Sequence, residues 1–246
     1  MSLPVHLAPE LAGVVAGDRV VLTGDEAHHA VVVRRLRVGE RVALTDGRGS
    51  WVEAVVDVTG KRELTAVAET VTRVARPEPA VTVVQALPKG DRGELAVEVL
   101  TEVGVDVVVP WAASRSVAVW RGERVGKSLA KWRATAREAA KQSRRAWFPE
   151  VASLAATADL AGLVEAADLA VVLHEAASAP LASLEVPAAG RIVMVVGPEG
   201  GLSDDEVALL SDAGAVDCRL GAEVLRTSTA GVAAVAALLA QTSRWR

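Results

Sequence analysis

The sequence predicts two units of different class, a small β-rich domain followed by a mostly parallel α/β domain. Three observations predict it. The first 75 residues carry short Val- and Thr-rich segments separated by turn signals. The run Arg76-Pro77-Glu78-Pro79 disfavours helix and removes two backbone donors, which suits a linker. From Ala80 onward, apolar runs alternate with segments of helical period. The 246 residues, at roughly 150 per domain, leave room for both units to bury a core.

In the first unit, residues 1–75, strands are expected over Arg19 to Leu22, Glu40 to Asp46, Ser50 to Val58 and Glu63 to Val74, arranged as a small barrel or sandwich. In the second, residues 76–246, strands are expected over Val81 to Leu87, Val105 to Trp111, Leu169 to Leu173, Arg191 to Val196 and Ala215 to Leu220. Helices are expected over Glu94 to Val103, Val125 to Ser143, Asp159 to Ala167, Ser203 to Ala213 and Thr229 to Thr242.

Composition excludes several classes. Hydrophobic residues make up 51% and charged residues 24%, which rules out disordered, collagen-like and low-complexity chains. The longest apolar run, residues 230–240, is about half of what a bilayer requires, and residues 1–9 lack the basic-then-apolar order of a signal peptide. The expectation is a soluble, cytoplasmic protein with no membrane partner. A lone cysteine, Cys218, excludes an internal disulfide. No metal is expected, because His28 and His29 would point about 100° apart on a helix and His6 and His174 are remote in sequence.

The net charge of −4 hides an asymmetry. Residues 1–112 hold 12 basic and 16 acidic side chains, residues 113–147 hold 10 and 2, and residues 148–246 hold 5 and 13. A block of net charge +8 inside an acidic chain suits a surface for a polyanion, as does the cluster Arg34, Arg35 and Arg37. A solvated helix face is the bland alternative. Trp120, Trp132 and Trp147 lie in or beside the block and suit either base stacking or core packing.

Ligands of open α/β sheets sit beyond the carboxyl ends of the strands, so the loops there are the place to search. Gly197-Pro198-Glu199-Gly200-Gly201 follows one strand and precedes a helix whose Ser203 and Glu206 have capping-box spacing. Glycines let the backbone approach a ligand, although an ordinary tight turn uses them equally. Asp204, Asp205 and Glu206 would oppose a phosphate at that helix start, and no Walker or dinucleotide fingerprint occurs. A ligand without phosphate, even a cation, fits better. The second loop, residues 220–230, is polar: Thr227, Ser228 and Thr229 are all candidate N-caps, and Arg226 ahead of them could reach a substrate oxygen. No nucleophile elbow or reactive cysteine is visible.

These two loops together resemble the paired signature of the RsmE family, ribosomal RNA methyltransferases of the SPOUT class. The resemblance covers almost the whole chain, through Glu26 to His29, Arg34 to Gly39, Thr101 to Pro110, Ser114 to Ser116 and Glu138 to Arg144 with Pro149. It implies a PUA-like β-barrel domain, a carboxyl-terminal SPOUT-type domain with a trefoil knot, and a homodimer. It also implies transfer of a methyl group from S-adenosyl-L-methionine to N3 of a uridine in 16S ribosomal RNA of the 30S subunit. Alternatives are a SPOUT methyltransferase for another RNA position and a non-catalytic assembly factor. Carried over by position, the cofactor residues would be Leu173, His174, Gly197, Glu199, Gly200, Gly201, Leu220, Gly221, Val224 and Leu225. Arg226 would be catalytic, with Glu199 considered as a base. RNA would be held by Arg34, Arg35, Arg37, Arg115, Arg144 and Arg145. The chain departs from the family pattern at Val99, Glu223 and Ser228, where Lys, Arg and Glu are common.

Overall fold

The structure is a computed structural model that describes residues 3–245. It divides into two compact units, residues 1–76 with 140–148, and residues 77–139 with 149–246. The linear boundary expected at residue 76 is therefore incomplete, since a nine-residue segment from the middle of the chain belongs to the first unit.

The first unit holds β1 (Val5–Leu7), β2 (Arg19–Thr23), α1 (Gly24–His28), β3 (Arg41–Thr45), β4 (Ser50–Thr59) and β5 (Glu63–Arg73), with a π-helical turn over His29–Val33. The strands form a mixed sheet in the order β1-β3-β4-β5-β2, parallel between β1 and β3 and antiparallel elsewhere. Among the described residues no ladder joins β1 to β2, so the expected barrel is an open sheet. Sequence reading missed β1 and α1 because each is shorter than the window in which a period can be recognised. One face buries Val42, Leu44, Val52, Ala54, Val56, Leu64 and Ala66, following the alternation of these strands.

Residues 140–148 join this unit through backbone pairing. Gly49 donates its N–H to the Ala146 carbonyl and Phe148 to the Gly47 carbonyl, both at 2.9 Å. Gly47 and Gly49 have φ of +69° and +97°, and a Cβ on Gly49 would stand 2.7 Å from the Trp147 ring, so both position and conformation demand glycine there. Trp147 donates its indole N–H to the Val74 carbonyl at 2.9 Å. Its ring is thus a structural plug, with the Arg76 guanidinium 5.8 Å from its centre.

Lys141 is also committed inside this unit: its ammonium lies 2.7 Å from Glu26 Oε1, with the lysine side chain 5% exposed. His6 Nδ1 stands 3.5 Å from Glu26 Oε2, beyond a strong hydrogen bond. Burial works to raise the Glu26 pKa, but the interactions with His6 and Lys141 outweigh it and hold the carboxyl at about 2.

The second unit contains β6 (Ala80–Ala86), α2 (Arg92–Val103), β7 (Val107–Trp111), α3 (Glu123–Gln142, ending in the first unit), β8 (Glu150–Val151), α4 (Leu160–Glu165), β9 (Leu169–Leu173), β10 (Arg191–Val196), α5 (Asp204–Asp212), β11 (Val216–Cys218) and α6 (Thr227–Leu239). All pairings in its six-stranded sheet are parallel, in the order β11-β9-β10-β6-β7-β8. The central strand β10 is apolar without alternation because both faces are covered. Ile192, Met194 and Val196 join the core under α2, α3 and α6, and Val193 and Val195 join the core under α4 and α5. Trp132 is 2% exposed in the first of these cores and makes an edge-on contact with Trp120 at 5.0 Å. Trp132 is a core residue, and Trp120 packs on its edge while remaining partly exposed.

Several expected boundaries shift by one to three residues, three of them for a visible reason. β7 starts at Val107 because Gly104, at φ +108°, ends α2 and Val105 donates back to the Leu100 carbonyl. β11 stops at Cys218 because Arg219 exchanges bonds with Ala179 and Leu181 instead of β9. α6 starts at Thr227, since Arg226 is its N-cap and neither Thr227 nor Ser228 caps by side chain.

At the far end of the chain Arg244 closes the second unit. Its guanidinium donates to the Pro79 carbonyl and Asp106 Oδ2 at 2.8 Å each and to the Gly104 carbonyl at 2.6 Å, with Arg244 8% and Asp106 4% exposed in their side chains.

For the first unit, the Lys141→Ala variant is expected to lose about 2 kcal/mol by stranding the Glu26 carboxylate. Because the folded pKa of Glu26 lies below the ordinary 4.5, its contribution is complete above 4.5 and is lost as the pH falls toward about 2. In the variant the folded pKa lies closer to the ordinary value, so that acid loss is smaller and is complete at a higher pH. Urea unfolding across the acid range checks both, and coincident stability curves would contradict the assignment.

Candidate functional site

The register of the parallel sheet brings distant loops together. Val196 at the end of β10 pairs with Leu173 at the end of β9, and Leu173 pairs with Cys218 at the end of β11. The loops that follow these three residues therefore leave the sheet side by side. They hold every residue expected to bind a cofactor: Leu173 and His174, residues 197–201, and Leu220, Gly221, Val224 and Leu225. On the other side of β10, Val196 pairs with Gln85 of β6, so the loop after β6 borders the same edge.

Each loop is pinned by backbone bonds. His174 donates its N–H to the Cys218 carbonyl at 3.0 Å, and Leu181 donates to the Arg219 carbonyl at 2.9 Å. Leu173 and His174 are partly buried, whereas residues 221–226 are exposed, Val224 by 75%. Arg226 is exposed, and its carbonyl accepts the N–H groups of Thr229 and Ala230 at 2.8 and 2.9 Å. The Thr229 hydroxyl donates to the same carbonyl at 3.3 Å instead of capping the helix. Gln85, which sequence reading missed, is 1% exposed and donates its side-chain amide to the Thr227 carbonyl at 3.2 Å. It thereby fixes the start of α6 to the centre of the sheet. An isolated Gln in an apolar strand was the available signal.

The glycine loop is shaped by the protein itself. A Cβ on Gly200 would lie 3.0 Å from both Cβ and the carbonyl oxygen of Arg115, and Gly200 has no positive φ. A close approach of Arg115 demands this glycine, a reason the sequence alone did not supply. Gly201, at φ +72°, needs glycine for its conformation. Arg115 also donates from Nη1 to the Leu202 carbonyl at 2.8 Å. This cation of the basic block is thus engaged beside the loop.

Glu206 departs from the expectation that three carboxylates face a ligand at this helix start. Asp204 and Asp205 are exposed, but Glu206 is 2% exposed and turned inward. Its Oε2 accepts the Ser203 N–H at 2.9 Å, and Ser203 Oγ accepts the Glu206 N–H at 3.2 Å, which completes the capping box. Its Oε1 accepts the Ser114 N–H at 2.7 Å and the Thr157 hydroxyl at 3.3 Å. Burial works to raise the Glu206 pKa, and the Ser114 and Ser203 amides prevail and hold it below the ordinary range. Glu199 Oε1 accepts the Lys89 backbone N–H at 3.2 Å, which favours loop tethering over a role as base.

The cationic candidates separate. Arg34, Arg35, Arg37, Arg144 and Arg145 belong to the first unit and Arg115 to the second. Lys141 is paired with Glu26 and Lys131 with Glu94 at 3.0 Å, so the +8 block is not wholly free. Of the departures from the family pattern, Ser228 is 3% exposed, so a glutamate there would bury a charge that this chain lacks.

A family model described as an RNA methyltransferase domain matches residues 76–239, and one described as an RNA methyltransferase PUA domain matches residues 22–69. The chain belongs to this RNA methyltransferase family. Two relatives are named ribosomal RNA small subunit methyltransferase E. The one from Mycobacterium bovis is 48% identical, over 93% of this chain and 89% of its own length. The one from Bacillus subtilis is 32% identical over 92% and 91%. A crystal structure of the Neisseria gonorrhoeae enzyme of that name, bound to S-adenosyl methionine, superposes with a TM-score of 0.85 at 28% identity, covering 97% of this chain and 98% of that one. In this methyltransferase family member, the glycine loop is held against its neighbours by one buried carboxylate.

That arrangement has an acid signature. Glu206→Gln keeps one acceptor but turns an amide N–H toward a donor, which is expected to cost about 1–3 kcal/mol at neutral pH. The depressed pKa makes the carboxylate's contribution complete above 4.5 and fading below it. The difference in melting temperature between wild type and variant should shrink on acidification; a constant difference would rule this origin out.

Proposed function

We propose that this chain transfers a methyl group from S-adenosylmethionine to N3 of a uridine in the 16S ribosomal RNA of the small subunit. The observation that carries the reading is the convergence of the loops after β9, β10 and β11, in a member of an RNA methyltransferase family. The edge suits this cofactor. The capping box of α5 takes the Ser203 and Glu206 amides, and the exposed carboxylates of Asp204 and Asp205 at the helix start disfavour a phosphate and favour a cation. When bound, S-adenosylmethionine supplies an electrophilic methyl on a positively charged sulfur.

Leu173, His174, Gly197, Glu199, Gly200, Gly201, Leu220, Gly221, Val224 and Leu225 would hold it, mostly through backbone groups. Arg226 is placed to stabilise the negative charge that spreads over the uracil oxygens as N3 loses its proton. Arg34, Arg35, Arg37, Arg115, Arg144 and Arg145 would hold RNA phosphates. In support, Arg35 and Arg144 have φ of 58° and 56°, at positions just after helical turns where glycine is the residue of lowest cost.

The family resemblance further supports a trefoil knot and a homodimer. After the edge strand β11, α6 returns to pack on α2, β6 and β10 and against the turn at Leu181–Ser183, the course a threaded chain would take. A second copy would cover apolar surface exposed on the loop at Val224 and Leu225.

Comparing modified nucleosides in small subunits with and without the protein tests the reaction; a methyl at another atom or on a ribose contradicts it. Arg226→Ala should lower kcat by about a hundredfold with cofactor affinity little changed, as for loss of one positioned oxyanion donor. A fall in affinity without a fall in single-turnover rate would reassign the residue. Arg144→Glu with Arg145→Glu should weaken binding to small subunits and flatten the dependence of log K on log salt, with S-adenosylmethionine binding intact. A variant that sediments as a monomer, or an unchanged salt slope, would remove these residues from the RNA surface.

A further inference from the structure

We propose that Lys89, in the loop after β6, contacts a carbonyl oxygen of the target uracil and shares with Arg226 the charge that develops there. The proposal rests on the uridine-N3 reading above.

Both cations are set at the end of one strand. Gln85, the next-to-last residue of β6, holds the Thr227 carbonyl and so seats Arg226 at the head of α6. Four residues after Gln85, Lys89 has its backbone N–H fixed on Glu199 Oε1, and Leu87 between them is fully buried with its N–H on the Trp111 carbonyl. The Lys89 side chain is exposed, and among the described residues its ammonium has neither an ion pair nor a hydrogen bond. A lysine whose backbone is tied to the proposed cofactor loop, and whose ammonium makes no ion pair among the described residues, has its charge available for a substrate.

The chemistry calls for such a charge. Uracil N3 lies between the carbonyls at C2 and C4, on opposite sides of it. As the N3 proton passes to water, negative charge spreads to both oxygens. The N3 lone pair then forms the bond to the methyl carbon while the carbon–sulfur bond breaks with its electrons on sulfur. One cation serves one oxygen well, whereas two cations on separate loops serve both.

The test uses full-length Lys89→Met, Lys89→Gln and Lys89→Arg with small subunits as substrate, after thermal melts establish that each folds. Single-turnover rates are followed across pH, S-adenosylmethionine affinity by calorimetry, and small-subunit affinity across salt. The Met and Gln variants should lose about a hundredfold in rate. Without the cation N3 holds its proton more tightly, so the rise of rate with pH should move to higher pH, and arginine should restore part of the rate. Cofactor affinity and the salt slope should stay as in the wild type. Unchanged rates and profile overturn the proposal. So does lost affinity with a flatter salt slope and a normal rate once bound, which would make Lys89 a phosphate contact. Wild-type product other than 3-methyluridine overturns the underlying reading as well, and nucleoside mapping separates that failure from a failure at Lys89.

Discussion

Glu206 is the point at which the carboxyl edge of the sheet is tied together. Its carboxylate takes the amide of Ser203, the N-cap of the helix after the glycine loop, on one oxygen and the Ser114 amide with the Thr157 hydroxyl on the other. Three loops from separate parts of the chain are thereby held by one charge that is almost wholly out of water. A buried carboxylate persists only where donors replace its hydration, and here they do. Arg115, next to Ser114, is consequently brought against Gly200 and the Leu202 carbonyl. The shape of the Gly197–Gly201 loop is a result of this packing before any ligand enters.

The same principle recurs at two other places, each with a buried or half-buried charge answering an opposite one. Glu26 and Lys141 attach the end of α3 to the first unit, while Arg244 and Asp106 attach the tail of the chain to the second. Truncating one partner in such pairs leaves a charge without hydration or counter-ion. They also remove cations and anions from the surface. The basic charge left unengaged is accordingly less than composition suggests.

Catalysis in a methyl transfer of this kind needs little covalent chemistry from the protein. Orientation of two substrates and stabilisation of charge on a base are sufficient tasks, and rigid strand ends perform them well. Gln85 exemplifies the economy of the design: one buried amide joins the middle of the sheet to the head of α6, where Arg226 stands. The exposed loop that follows β11 is by contrast unpacked at Val224 and Leu225.

The alternation of apolar and turn residues was enough to place most strands and helices, because local period and burial coincide in them. Arg191 to Val196 is central strand by composition, and Ser203 with Glu206 marks a helix start by spacing alone. The glycine loop is legible as a tight passage from strand to helix, whereas the role proposed for Arg226 comes from the family resemblance and not from local pattern. The sequence could not tell which strands become neighbours, since parallel pairing joins segments separated by whole helices, and only register sets Leu173, Val196 and Cys218 in one row. Nor could it show that Glu206 turns inward, that Gly200 answers to Arg115, or that Lys141 is spent on Glu26. Those outcomes rest on contacts between residues far apart in the chain, and the tertiary structure alone decides them.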